Sequence, residues 1–139
     1  MLSALKQRLE AKKAKARAIA AAQYWKTHAL LQECLQALRG SCTVAPMELH
    51  EAAIAAVNLA LQEDAWTPAG QIPAGFLTGT VYIVWDDAQL PVFKAGCDPV
   101  LQSLDDVTAV AHETYLVSET MGRIVCCDHW GKCLLYCIA

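Results

Sequence analysis

The sequence predicts an α+β domain over residues 1–139, with N-terminal helices packed on a mainly antiparallel sheet of about five strands. Two patterns carry that expectation. Through residues 1–66 apolar side chains recur at helical spacing. Through residues 76–139 they come as short runs, rich in β-branched and aromatic residues and punctuated by turns. Composition agrees, because 55% hydrophobic against 18% charged residues suits a packed body rather than a disordered one.

Residues 3–39 read as one long helix or two helices meeting near Gln23. On a helical wheel Leu2, Leu5, Leu9, Ala16, Ile19, Leu30, Leu31, Cys34 and Leu38 form one stripe. The opposite face is mostly alanine, with Trp25 among Ala11, Ala14, Ala18, Ala21, Ala22 and Ala29. Small side chains let another helix approach closely, so this face suits packing within the chain or a homodimer. Gly40 supplies the stop. Pro46 suits the first turn of a second helix, which runs to about residue 64 with Ala53, Ile54, Val57, Ala60 and Leu61 as its apolar side. A loop over 67–75, holding two Pro-Ala-Gly triplets, then joins the helical half to the β half.

Residues 77–85 alternate like a strand, and Asp86-Asp87-Ala88-Gln89 reads as a hairpin loop. The return strand holds Pro91-Val92-Phe93, and Pro91 places it at a sheet edge. Residues 97–106 read as turns or a short helix, and three strands follow over 113–118, 123–128 and 132–138.

Charge is unevenly spread around a net −3. Residues 1–17 carry Lys6, Arg8, Lys12, Lys13, Lys15 and Arg17 against Glu10 alone, while nine acidic side chains from Asp64 onward meet only Lys94, Arg123 and Lys132. The apolar stretch over 18–22 is too short for a secretory signal, and no run reaches membrane-spanning length. Seven cysteines without export imply a reducing cytoplasm, where cysteine acts mostly as a small buried hydrophobe.

Four of those cysteines lie near the turn Asp128-His129-Trp130-Gly131. Asp opening a type I turn and Gly in the left-handed region make a three-residue hairpin with a bulge, and Glu119-Thr120-Met121-Gly122 fits the same scheme more loosely. The register then sets Asp128 opposite Lys132 and Cys127 opposite Cys133. Val125, Cys127, Cys133, Leu135 and Cys137 share one face; Ile124, Cys126, Leu134 and Tyr136 share the other. This geometry explains Asp128 and Gly131 but leaves His129 and Trp130 at the tip. A tip indole either folds back over the sheet edge or anchors a partner.

The chemistry open to these residues divides into classes. Cys126, Cys127, His129, Cys133 and Cys137 are close enough in sequence to suggest a zinc or thiol site. Alternation sends Cys126 away from Cys127, however, and no second ligand pair follows. Cys97, after Gly96, is expected to be the better-exposed thiol, with no histidine beside it in sequence to activate it. His28, His50 and His112 lack ligand spacing. The pairs Asp86-Asp87 and Asp105-Asp106 lack the spacing of a calcium loop, but as acidic loops they suit a basic protein partner. A helical oligomerisation or nucleic-acid adaptor built on residues 1–39 is the third class; lysines on both flanks and the acidic total weigh against nucleic acid. Phosphate-loop, nucleophile-elbow and zinc-protease motifs are missing, which disfavours an enzyme.

Tyr115-Leu116-Val117-Ser118, Gly122-Arg123-Ile124-Val125 and Asp128-His129-Trp130-Gly131-Lys132 together resemble the closing hairpin of small bacterial immunity-type proteins. The resemblance implies a non-enzymatic, cytoplasmic protein that binds and neutralises a toxin of a polymorphic or contact-dependent system; binding of that protein partner by occlusion, with no cofactor, is the expected mechanism. The expected contact residues are Asp86, Asp87, Asp105 and Asp106 as an acidic patch, with His129 and Trp130 as a tip anchor.

Overall fold

A computed structural model describes residues 28–63 and 65–137, together with residues 4, 6, 8 and 9. Ala4, Lys6, Arg8 and Leu9 are helical and exposed. Apart from Ala29, which is exposed at the start of the helix over 29–37, the alanine face with Trp25, and a dimer formed through it, lie outside the described residues.

The elements in chain order are α1 (Ala29–Ala37), β1 (Cys42–Val44), α2 (Met47–Leu61), β2 (Thr67–Ala69), β3 (Thr80–Trp85), β4 (Phe93–Gly96), α3 (Cys97–Gln102), α4 (Leu104–Thr108), β5 (Glu113–Ser118), β6 (Arg123–Asp128) and β7 (Cys133–Cys137). The α+β class holds, but among the described residues the sheet has seven strands rather than about five, all antiparallel, in the order β1-β4-β3-β5-β6-β7-β2. The two additions, β1 and β2, are three-residue strands at the two edges, too short for alternation to show in sequence. Their pairing also corrects the placing of the Pro91 strand. Phe93 starts β4 beyond the proline, so the missing N–H costs no ladder bond, and β1 closes the side expected to be open.

Helix α1 starts at His28, whose ring Nδ1 accepts the Leu31 N–H at 3.2 Å, and stops where Arg39 and Gly40 turn left-handed. It buries Leu31, Cys34 and Leu38 from the expected stripe, while Leu30 faces outward at 45% exposure. In α2 Pro46 is the N-cap residue, and Ala53, Val57 and Ala60 are buried at helical spacing. Leu61, expected on that apolar side, is exposed. No described helix is long and apolar enough to cross a membrane.

The sheet carries a core on each face. Against the first, α1, α3 and α4 pack on Val81, Ile83, Trp85, Phe93, Leu116, Val125, Cys127 and Cys133. There the Trp85 indole donates to the Val107 carbonyl at 2.9 Å and meets Phe93 edge-on at 5.7 Å. Against the second, α2 covers Tyr82, Val84, Tyr115, Val117 and Ile124. Trp66 extends this cover to Tyr136, ring to ring at 5.3 Å, and donates to the Ala60 carbonyl at 2.8 Å. The strands 113–118 and 123–128 have the expected limits, and the hairpin cysteines divide between the faces as alternation requires. In the β5–β6 turn the left-handed residue is Met121 (φ 64°), not the expected Gly122; the Met121 N–H donates to the Ser118 carbonyl at 2.8 Å.

Candidate functional site

The end of the sheet at the β6–β7 turn is built around one carboxylate. Asp128 Oδ1 accepts the N–H groups of Trp130 and Lys132, both at 2.9 Å, and the Asp128 N–H donates to the Lys132 carbonyl at 3.0 Å. Gly131, at φ 87°, supplies the left-handed step. The expected Asp128–Lys132 pairing is thus made chiefly through backbone. A turn held this way aims the Trp130 side chain away from both cores, and it is 77% exposed. The fold-back reading therefore fails. The indole rests on His129, 4.3 Å between ring centres, and His129 lies 4.8 Å from the ring of His112.

Strand register brings acidic groups to this same end. Glu113 pairs with Asp128 across β5 and β6. Asp86, just past β3, donates its N–H to the Glu113 carbonyl at 3.2 Å and accepts the Glu113 N–H on Oδ1 at 3.1 Å. Asp87 follows in the β3–β4 turn, where its carboxylate accepts the Gln89 N–H at 2.9 Å. Tyr115 donates to Glu113 Oε2 at 2.6 Å. Burial, and then this bond, hold the phenol above its ordinary pKa, so it remains a donor.

Two hollows open on the second face at this end. One, of about 640 Å³, lies between β2, β7 and the turn, with Pro68, Ala69, Glu113, Asp128, Trp130 and Leu134 in its walls. The other, of about 340 Å³, lies between α2 and the β3–β4 turn and includes His50, Ile54, Leu61, Asp86, Asp87 and Tyr115. The hydrogen-bonded Tyr115–Glu113 pair borders both. Here His50 is partly buried and has a structural duty: Nδ1 accepts the Val92 N–H at 3.2 Å, and burial lowers its pKa.

The structure therefore joins Asp86 and Asp87 to His129 and Trp130 at one sheet end. Asp105 and Asp106 lie elsewhere. Both are exposed on the first turn of α4, over the first face, and Asp106 acts electrostatically on the Cys34 thiol. Glu113 was not expected at the site, and Asp128 was expected only as a turn residue. Their pairing was available in principle, because register between two correctly bounded strands sets residue 113 opposite residue 128. Pro68 and Leu134 join through β2, which gave no sequence signal.

Apart from the exposed Cys137, the cysteines behave as packing. Cys127 and Cys133 are buried face to face, Sγ to Sγ 3.1 Å. Cys126 points to the opposite side of the sheet, and among the described residues no three His, Cys, Asp or Glu converge as metal ligands. Burial pushes the thiols of Cys34, Cys42 and Cys126 up to about 12 and raises Cys127 as well. The expectation of an exposed Cys97 is corrected: it is 3% exposed and its Sγ donates to the Leu77 carbonyl at 3.2 Å, because α3 folds back over the end of β4.

Residues 74–135 match the family described as CdiI immunity protein EcoliA0-like. The match extends the resemblance seen in the closing strands to contact-dependent inhibition immunity proteins. It spans β3 to β6, α3 and α4, and enters β7, so it contains Asp86, Asp87, Glu113, Asp128, His129 and Trp130. α1, β1, α2 and β2 precede it. No curated protein matches the chain.

Proposed function

We propose that this chain is a non-enzymatic immunity-type protein, acting in a bacterial cytoplasm, that binds a toxin domain and neutralises it by occluding the surface the toxin works with. The observation that carries the reading is Trp130. A large apolar side chain is held outward by two backbone bonds to Asp128, within the segment that matches immunity proteins. Exposed aromatic groups on rigid turns make strong binding anchors, since little side-chain entropy is lost when they dock. Around it Asp86, Asp87, Glu113 and Asp128 give the sheet end a negative field. Such a field steers a basic partner, such as a toxin domain that grips nucleic acid. Asp105 and Asp106 would form a separate acidic contact from the other face.

Co-expression with toxin domains of contact-dependent inhibition systems tests the function directly: the chain should restore growth against one of them. Trp130→Ala combined with Asp86→Asn, which removes the anchor and one charge but keeps the acceptor for Glu113, should weaken toxin binding about a hundredfold while leaving the melting temperature in place. Unchanged affinity would remove this surface from the contact.

A further inference from the structure

The cleft beside Trp130 has two features that a smooth protein–protein contact would not need. First, Glu113 and Asp128 stand directly opposite on adjacent strands and both are partly buried. Like charges in that arrangement repel, and shielding from water strengthens the repulsion. One oxygen of each is committed, Glu113 Oε2 to the Tyr115 hydroxyl and Asp128 Oδ1 to the turn. Glu113 Oε1 and Asp128 Oδ2 carry no hydrogen bond among the described residues. Second, Trp130 borders the same cleft, with Leu134 and Pro68 adding apolar lining.

We propose that this cleft receives an arginine side chain of the bound protein partner, its guanidinium bridging Glu113 and Asp128 beneath the Trp130 indole. The proposal rests on the toxin-binding reading and names the chemistry of its contact. An apolar side chain entering here would strip water from two carboxylates and leave them unpaired. A lysine ammonium would supply charge, but as a compact point it would use one carboxylate well and the ring poorly. A guanidinium is flat, offers several N–H donors in a fixed fork and stacks on aromatic faces. Its methylene stem would lie along Leu134 and Pro68. The volume, about 640 Å³, exceeds one side chain and leaves room for the flanking residues of an extended segment. Lys132 also borders the cleft and is exposed, so its positive charge opposes an entering guanidinium.

The test titrates the full chain with a blocked Gly-Arg-Gly peptide and with its Gly-Lys-Gly counterpart. The readout is the NMR signal of the Trp130 indole N–H, assigned by its loss in Trp130→Phe. The arginine peptide should shift that signal and bind about fivefold more tightly than the lysine peptide. Glu113→Gln with Asp128→Asn should weaken it about tenfold, and Lys132→Ala should strengthen it. Asn keeps the acceptor that holds the turn, and Glu113→Gln alone decides the matter if the double variant does not fold. Equal binding of the two peptides, no shift, or indifference to Glu113→Gln would overturn the proposal. The toxin arm separates it from the broader reading. A toxin that the chain neutralises, and that binds Glu113→Gln with Asp128→Asn as tightly as wild type, overturns the arginine contact and leaves toxin binding standing. A chain that fails to neutralise the toxin overturns toxin binding, while the peptide result still decides what the cleft prefers.

Discussion

The two faces of the sheet are built from the same strands but are finished differently. Among the described residues three helices close the first face, and its buried residues run without a break from Leu31 and Cys34 through Ile83, Leu116 and Val125 to Cys133. Among the described residues a single helix and Trp66 cover the second face, stopping short of the end where Glu113, Cys126, Asp128 and Leu134 lie. One face spends its side chains on cohesion; the other keeps an edge available. Binding groups can be held in fixed positions on that edge because strands already anchored by the closed face carry them.

Breaking the closed face should have the largest effect. Phe93→Ala removes a fully buried ring that packs on Trp85, and should cost about 3–5 kcal/mol in urea unfolding. A loss below about 1 kcal/mol would mean that face is not the main core. Next comes the turn that carries the open edge. Asp128→Ala deprives two backbone N–H groups of their acceptor and should cost about 1–2 kcal/mol, with Asp128→Asn recovering most of it.

The closed face also holds a defect. Thr114 Oγ1 is buried with no hydrogen-bond partner among the described residues. Thr114→Val replaces that hydroxyl by a methyl of similar shape and should raise stability by about 1 kcal/mol. A loss of stability would show that the hydroxyl is satisfied in solution.

Both faces contribute to alkaline sensitivity. In the unfolded chain thiols ionise near pH 9.0, whereas burial keeps Cys34, Cys42 and Cys126 protonated up to about 12. Over that window the unfolded chain binds fewer protons, so stability should fall as pH rises from about 9 toward 12. Cys34→Ala should flatten the urea midpoint against pH there, and an unchanged slope would exclude that thiol as a source. The smallest effect on folding belongs to the tip: Trp130→Ala should leave stability within about 0.5 kcal/mol, a null result that gives meaning to any loss of binding.

Much of this architecture is legible in the sequence. Strands 113–118 and 123–128, the Asp128–Gly131 turn and the split of the hairpin cysteines all follow from local rules. Alternation, left-handed glycine and Asp acceptance of nearby N–H groups act within a few residues. The candidate site was half legible for the same reason. His129 and Trp130 stood out as unexplained by their own turn, and Asp86 and Asp87 as charges in a hairpin loop.

Only the tertiary structure decided what stands beside them. Strands β1 and β2 pair with partners far along the chain, and three-residue segments carry no periodicity to announce that. The cleft needs β2 against β7, and the acidic row needs β3 against β5 across the intervening helices. The same long-range packing buries Cys97 against Leu77 and sends Asp105 and Asp106 over the other face. Sequence by itself determined the class of fold and the closing hairpin, because local sterics and hydrogen bonding set those, whereas the outward aim of the tip indole was decided only by the structure. Contact across the sheet decided which charges the tip keeps for neighbours, because register between distant strands is settled by the burial of whole faces.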